Sequence, residues 1–444
     1  AKMKCEEQKM NALLLKNAHL IDPSQGHDGI TDILIENGYV AELGPTLHQH
    51  PSSANARLID VASQWVLPGL IDLHVHFREP GHTRKETIAT GSRAAVAGGF
   101  TSVCAMANTS PVNDSVKITK LMMEKAESAD LARYFPIGGV SMGLKGEELA
   151  DLGLLKQTGC VAFSDDGFPI MNAGLMKRAL SYSEHLGVPI VAHEEDLNLS
   201  NRGYVHEGEV SAALGCLGIP SSAEEIMVAR DIILAEETGG HLHVAHVSTS
   251  GSLELIRRAK SRGIHVTCEV TPHHFALSDK ELLKFDTNYK MSPPLRTQKD
   301  IESIMEALVD GTIDAIATDH APHGLQDKNI PLPLAAFGVI GLETALPLSI
   351  HLLVHSKVIT RMRLIELMTS GPARVFNLDR MNLGTLKKGS PADFVIVDSD
   401  KKIKVSMDFI KSKSANTPFI GWELPGHIKS TWVRGSKVWG VSEA

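Results

Sequence analysis

Apolar positions along the chain follow two rhythms. Between residues 68 and 378, short apolar runs alternate with longer stretches whose apolar residues recur every third or fourth position. The runs lie at 69–77, 101–107, 132–137, 160–164, 189–192, 241–247, 264–270 and 313–318, eight in all. Runs this short and continuous suit buried strands, and the stretches between them suit amphipathic helices. Two helices are well marked, 222–238 and 250–262, the second opening at a Ser or Thr N-cap. The alternation predicts an α/β fold, a (β/α)8 TIM-like barrel. An open doubly wound sheet is the alternative, but it usually has fewer strands, and no Gly-x-Gly-x-x-Gly or P-loop follows the first run.

The two ends keep a looser, strand-like alternation. Residues 12–20, 30–36 and 40–43 alternate around turn signals at Asp22-Pro23 and Asn37-Gly38. Near the other end, strands are expected at 394–397 and 432–438. Both ends together predict one small β domain, residues 1–66 with 379–444, around a barrel of residues 67–378.

Composition removes several classes. Of 444 residues, 43% are hydrophobic and 22% charged, which excludes a disordered chain, a collagen and a coiled coil. A net charge of -8 with both signs interspersed argues against a nucleic-acid partner. No apolar run reaches the ~18–20 residues of a membrane span. Residues 1–17 are polar apart from Leu13-Leu14-Leu15, so no signal peptide is expected. The five cysteines are scattered, odd in number and free of C-x-x-C, a pattern that suits a reducing cytoplasm and offers no thiolate metal site. The 21 histidines are another matter, because several cluster at strand ends.

In such barrels the chemistry sits where the strands end. The first run ends Asp72-Leu73-His74-Val75-His76-Phe77-Arg78, placing His74 and His76 on one face. The fourth ends Ser164-Asp165-Asp166-Gly167, the fifth His193-Glu194-Glu195-Asp196, the sixth Ala245-His246, the eighth Thr318-Asp319-His320. Four histidines and two carboxylates thus converge, and burying them together without a cation would oppose like charges and donors. Imidazole and carboxylate without thiolate suit zinc, with manganese or cobalt able to replace it. Six ligands exceed one tetrahedral ion, so two zinc ions are expected. His74, His76 and Asp319 would hold one and His193 and His246 the other, with Asp166, rather than Asp165, as the bridge. A water between two cations is acidified toward hydroxide. Arg78, Asn108 and His323 would offer donors to an anionic substrate beside the metals. The plainer reading of Arg78 is a salt bridge to Glu79 or Glu86. His241 and His243 read as packing or surface histidines, His273 and His274 as mouth residues that mostly do not touch substrate, and His185 and His206 as helix or loop residues. Glu224-Glu225 reads as an acidic pair at a helix N-terminus.

The stretch Pro68-Gly-Leu-Ile-Asp-Leu-His-Val-His-Phe-Arg-Glu-Pro-Gly81 resembles the first-strand motif of the dihydroorotases, of the cyclic amidohydrolases. Gly98–Ser102, Met106–Thr109, Ser164–Gly167, His206–Gly208, His243–Thr249 and Ala317–His323 resemble the bacterial long-chain type in order and spacing. The resemblance covers nearly the whole chain. It implies zinc-dependent, reversible interconversion of dihydroorotate and N-carbamoyl-L-aspartate in pyrimidine synthesis. It also implies zinc ligands at His74, His76, Asp166, His193, His246 and Asp319, with Asp319 as general acid/base. Carboxylate binding would fall to Arg78, Asn108 and His323, with backbone contacts at Phe337-Gly338. Some relatives bridge the zincs with a carboxylated lysine; with no lysine at the fourth strand end, Asp166 takes that place. Three positions depart from the family's habit: Ser292 stands where Asn is frequent, Glu194 stands where Cys is common, and the loop 324–336 lacks the usual charged stretch.

Two other functions compete. A hydantoinase or allantoinase would act on rings without a carboxylate and leave Arg78 nothing to bind. A non-catalytic homologue serving as partner subunit would usually have lost metal ligands, and none is missing here. A homodimer and an association with another pyrimidine-pathway enzyme are both compatible with the sequence.

Overall fold

The structure, a computed structural model, describes residues 12–49 and 53–440. Residues 1–11 and 441–444, which fall in the expected leaderless start and in the expected β domain, lie outside the described residues.

The middle of the chain forms an eight-stranded parallel sheet in chain order: β1 (Leu70–Val75), β2 (Phe100–Ala105), β3 (Arg133–Gly138), β4 (Ala162–Ser164), β5 (Ile190–Ala192), β6 (Leu242–Val244), β7 (Val266–Val270) and β8 (Ala315–Ile316). Each strand overlaps one of the apolar runs. A parallel bridge between Val75 and His320, with the His76 amide donating to the His320 carbonyl at 2.9 Å, brings the last strand back to the first. Helices Ser221–Thr238 and Ser250–Ser261 lie where the spacing predicts them, and Thr249 caps the latter by accepting from the Ser252 amide.

Alternation along the strands sorts side chains between two cores. Ile71, Leu73, Cys104, Ala162, Val191, Ala245, Ala315 and Ala317 fill the interior, joined by Phe376 and Leu378. Leu70, Val103, Phe163, Ile190, Leu242 and Ile316 face the surrounding helices.

A second sheet is built from both ends of the chain. Its joint is the short strand Trp65–Pro68, parallel to Ala12–Asp22 on one side and antiparallel to Phe394–Lys404 on the other. Trp65 and Leu67 pack into the barrel's outer core, whereas Val66 packs into the core of this sheet. The same strand leads into β1 within two residues, so the sheet fixes where the first pair of histidines emerges.

One expected strand is corrected. Residues 432–438 are not one strand: they span the end of Glu423–Val433, a two-residue turn and the start of Ser436–Gly440, with Arg434 and Gly435 both in the left-handed region at φ 51° and 72°. The strand Glu423–Val433 carries Pro425-Gly426, a dipeptide typical of turns, so its sequence does not mark it as a strand. After Phe394–Lys404 the chain leaves the sheet, and residues 405–422 reach the loops that follow β8.

A nearly buried ion pair ties barrel to sheet, besides the more exposed pair of Arg361 with Asp28. Asp393 accepts from Arg133 at the start of β3 and from the Arg434 amide in the hairpin turn. Both side chains are nearly buried. Asp393→Ala should lower the unfolding free energy by roughly 2–4 kcal/mol, read by chemical denaturation. A loss under about 1 kcal/mol, the range of an exposed pair, would mean that packing alone joins the two sheets.

Candidate metal centre and active site

The strand ends bring six side chains to one buried point. The two oxygens of Asp166 divide the histidines between them. Oδ2 lies 3.4 Å from His74 Nε2 and 3.3 Å from His76 Nε2, and Oδ1 lies 3.4 Å from His246 Nε2 and 3.8 Å from His193 Nδ1. Asp319 Oδ1 is 3.4 Å from His74 Nε2 and 3.0 Å from His76 Nε2. His74 Nε2 is buried without a hydrogen-bond partner, and His193 Nδ1 and His246 Nε2 face each other at 3.0 Å. An orphaned imidazole nitrogen and converging carboxylates suit a cation. Among the described residues, three overlapping triads are close enough to hold a metal ion: His74/His76/Asp166, His74/His246/Asp319 and Asp166/His193/His246. Asp165 points elsewhere, accepting from the Val140 and Ser141 amides and the Ser141 hydroxyl.

A second layer of bonds orients the first. His74 Nδ1 bonds Glu269 at 2.8 Å, and His243 Nε2 bonds the other oxygen of the same carboxylate at 3.1 Å. Burial pushes Glu269 upward, yet these two bonds hold its pKa at about 2, so it stays an acceptor. His243, expected as a packing residue, therefore acts on the site through Glu269. His76 Nδ1 bonds the Asn108 side-chain oxygen at 2.9 Å, and the Asn108 amide donates to the Asp166 carbonyl. His193 Nε2 bonds Glu195. Such partners fix ring orientation and tautomer. His246, Asp319 and Arg78 all sit in the left-handed region, at φ 32°, 47° and 58°. Non-glycine residues there cost about 1–3 kcal/mol each and persist where the surroundings dictate them.

Behind His246, Glu224 is buried and accepts from the amides and hydroxyls of Ser248 and Thr249. Glu224 lies in the first turn of the helix Ser221–Thr238, as expected, and in addition ties that helix to the loop that follows β6. His274 is held by Thr271 and the Pro293 carbonyl. His206 is buried against Arg296, and His185 sits exposed on a helix. Glu194 is buried, and burial together with Asp231 pushes its carboxyl well above the ordinary range.

A cavity of about 480 Å³ opens beside the cluster, lined by His76, Asn108, Asp166, His193 and Asp319 together with Arg78, Ser292 and Phe337. Arg78 reaches no carboxylate: its Nε donates to the Pro322 carbonyl, and its Nη2 lies 3.3 Å from His323 Nε2. Glu79 bonds Lys125 and the Ile88 amide, and Glu86 bonds Thr90 and Ser412. The salt bridge that would have made Arg78 structural is therefore absent among the described residues. Burial lowers its pKa to about 10, which leaves it charged. Gly338 stands behind this wall, where a Cβ would meet Ala321 and the His323 ring.

Residues that sequence reasoning missed hold the anion side in place. Asn416 accepts from the His323 amide at 2.9 Å and donates to the Ala321 and Gly338 carbonyls. Lys328 donates to the carbonyls of Lys290, Ala336 and Gly338. The loop 324–336, short of charge in sequence, is thus tied down from inside by a buried lysine. No local signal marks Asn416, but an acid inside the apolar run 264–270 could have singled out Glu269.

With this geometry in place, the comparisons are decisive. A family model described as dihydro-orotase-like matches residues 63–252. The dihydroorotase of Anaeromyxobacter dehalogenans is 49% identical over 427 residues, covering 96% of this chain and 97% of that protein. That of Geobacter sulfurreducens is 50% identical over 426 residues, covering 96% and 99%.

The chain belongs to the dihydroorotase family.

Among solved structures, it is similar to the L-hydantoinase (dihydropyrimidinase) of Arthrobacter aurescens, with a TM-score of 0.87 at 26% identity over 97% of both chains. A D-hydantoinase from Thermus sp. superposes with a TM-score of 0.81, at 26% identity over 96% of this chain and 95% of the other. This chain and these hydantoinases thus share one overall fold along nearly their whole length.

The Glu269 contact can be tested. Glu269→Ala should weaken metal affinity or activity by roughly 10- to 100-fold, measured by competition with a chelator, while Asp165→Asn should leave metal content near that of the native protein. Unchanged affinity in Glu269→Ala would remove it from the site.

Proposed function

We propose that the chain is a dihydroorotase that interconverts dihydroorotate and N-carbamoyl-L-aspartate, a step of pyrimidine synthesis, in the cytoplasm. The observation that carries the reading is Arg78: a half-buried cation that bonds no carboxylate among the described residues, lining the same cavity as the histidine–aspartate cluster. A guanidinium so placed asks for an anion on the substrate. Hydantoins carry none, so the fold shared with hydantoinases accounts for the ring amide but not for this residue.

His74, His76 and Asp319 would hold one zinc ion and His193 and His246 a second, with Asp166 near enough to serve both sets of histidines. When bound, such ions acidify water and polarise a carbonyl. The chain's own residues do the rest. Arg78 and His323 anchor the carboxylate, and Phe337-Gly338 offers backbone groups to the ring. Asn108 holds His76 in the tautomer that leaves Nε2 free for a ligand. Ser292, short but on the cavity wall, reaches substrate through water. Asp319 takes the proton from the attacking water and passes it to the ring nitrogen as the carbon–nitrogen bond breaks. In the reverse direction it removes that proton from the carbamoyl nitrogen. Asp319 is buried beside His74 and His76, which hold its carboxyl well below the usual range against the effect of burial, so it starts as the base.

Two measurements test this. Purified protein should contain close to two zinc ions per chain and hydrolyse dihydroorotate, and Asp319→Asn should lose at least ~100-fold in rate. Turnover in Asp319→Asn close to that of the native protein would remove it as proton carrier. Arg78→Met should keep its metal yet lose about 30-fold to several thousand-fold in kcat/KM for dihydroorotate, while hydrolysis of a hydantoin changes little. Equal losses on both substrates would make Arg78 structural.

A further inference from the structure

His323 lies between two cations, one at each ring nitrogen. Arg78 Nη2 is 3.3 Å from Nε2, and Lys85 Nζ is 3.1 Å from Nδ1. The ring is buried, and the backbone amide of His323 donates to Asn416. Arginine and lysine can only donate, whereas a neutral imidazole accepts at one nitrogen and donates at the other. Both contacts therefore cannot be hydrogen bonds at once. Protonating the ring would make matters worse, and burial together with the charges of Arg78 and Lys85 lowers its pKa to about 2. One of the two donors must go without an acceptor.

The surroundings decide which. Arg78 already donates through Nε to the Pro322 carbonyl and has further N–H groups to spare. Lys85 has a weaker alternative: Asp327 Oδ2 lies 3.7 Å away, and the same oxygen already accepts from the Gly324 amide. The shorter contact is also the one to Lys85. His323 Nδ1 thus accepts from Lys85, and the ring proton is left on Nε2, facing the Arg78 guanidinium across 3.3 Å.

We propose that Lys85 is a positioning residue that fixes the tautomer of His323, so that His323 Nε2–H and Arg78 form a pair of donors for one carboxylate of the substrate. Two donors that oppose each other in the free protein are both satisfied when an anionic oxygen comes between them. This rests on the reading of the substrate as a carboxylate-bearing ring and adds the source of its second donor. Lys85 itself stays off the cavity wall and off the reacting atoms.

The side-chain ¹⁵N resonances of His323, assigned by their loss in His323→Gln, report the tautomer directly. The native protein should show a protonated Nε2 and a bare Nδ1. In Lys85→Met, Arg78 becomes the only donor at the ring, and the proton should move to Nδ1. The same variant should raise KM for dihydroorotate by roughly 10- to 100-fold with kcat changed less than about threefold, because only carboxylate binding is affected. Lys85→Gln, which keeps a donor without the charge, should restore most of the KM. A native ring protonated at Nδ1 would overturn the proposal even if Lys85→Met failed to fold. So would an unchanged KM in Lys85→Met, or a Lys85→Gln variant as impaired as Lys85→Met. Absence of dihydroorotate turnover in the native protein would sink the functional reading instead, and the resonances would still report on Lys85.

Discussion

Everything at the top of this barrel depends on one buried carboxylate. Asp166 sets one oxygen against His74 and His76 and the other against His193 and His246. A carboxylate at that depth is costly unless positive charge faces both of its oxygens. Neutral imidazoles alone do not supply that charge, and a fully protonated set would set four cations against one another. The arrangement suits a metal ion held among these groups, and that constraint explains why the first, fourth, fifth, sixth and eighth strands end in register.

Register is in turn kept from below. Glu269 on β7 bonds His74 above and His243 on β6 beside it, while Thr267 holds His243 from its other nitrogen at 2.8 Å. A line of polar side chains thus rises through an otherwise apolar interior to the first metal ligand. Asp72 adds a second tie between β1 and β8, accepting from the Thr318 amide and hydroxyl. Such chains are stable only when every member is satisfied, and that requirement is what fixes the rotamers of the ligands.

The fold was legible in the sequence because its information is local. The eight apolar runs mark the eight strands, and the polar residues just beyond them mark the metal centre, since strand ends and active site coincide in this architecture. What escaped was non-local. Asn416 lies nearly a hundred residues beyond His323, on a segment with no strand or helix pattern, yet it bonds the His323 amide and the Gly338 carbonyl. Glu224 was read from its place at a helix start, where its charge has a plain local meaning, and its bonds to Ser248 and Thr249 became visible only in three dimensions. The hairpin at Arg434-Gly435 was missed for the opposite reason: apolar residues on both sides of a tight turn merge into one run.

The structure also separates what is shared among cyclic amidohydrolases from what is particular to this chain. The overall fold is common to this chain and to the hydantoinases it resembles, whereas the histidine–aspartate cluster is described in this chain itself. The side of the cavity away from the cluster serves recognition. There Arg78 is half-buried and bonds no carboxylate, His323 beside it is held by Asn416 and Lys85, and Lys328 gathers three carbonyls to shape the Phe337-Gly338 turn. This wall is built with excess positive charge and a donor left over, an arrangement that is unfavourable in itself. On the proposed reading, an anionic substrate would relieve it, and discrimination between a carboxylate-bearing ring and a neutral one would be stored in the free protein as unsatisfied electrostatics.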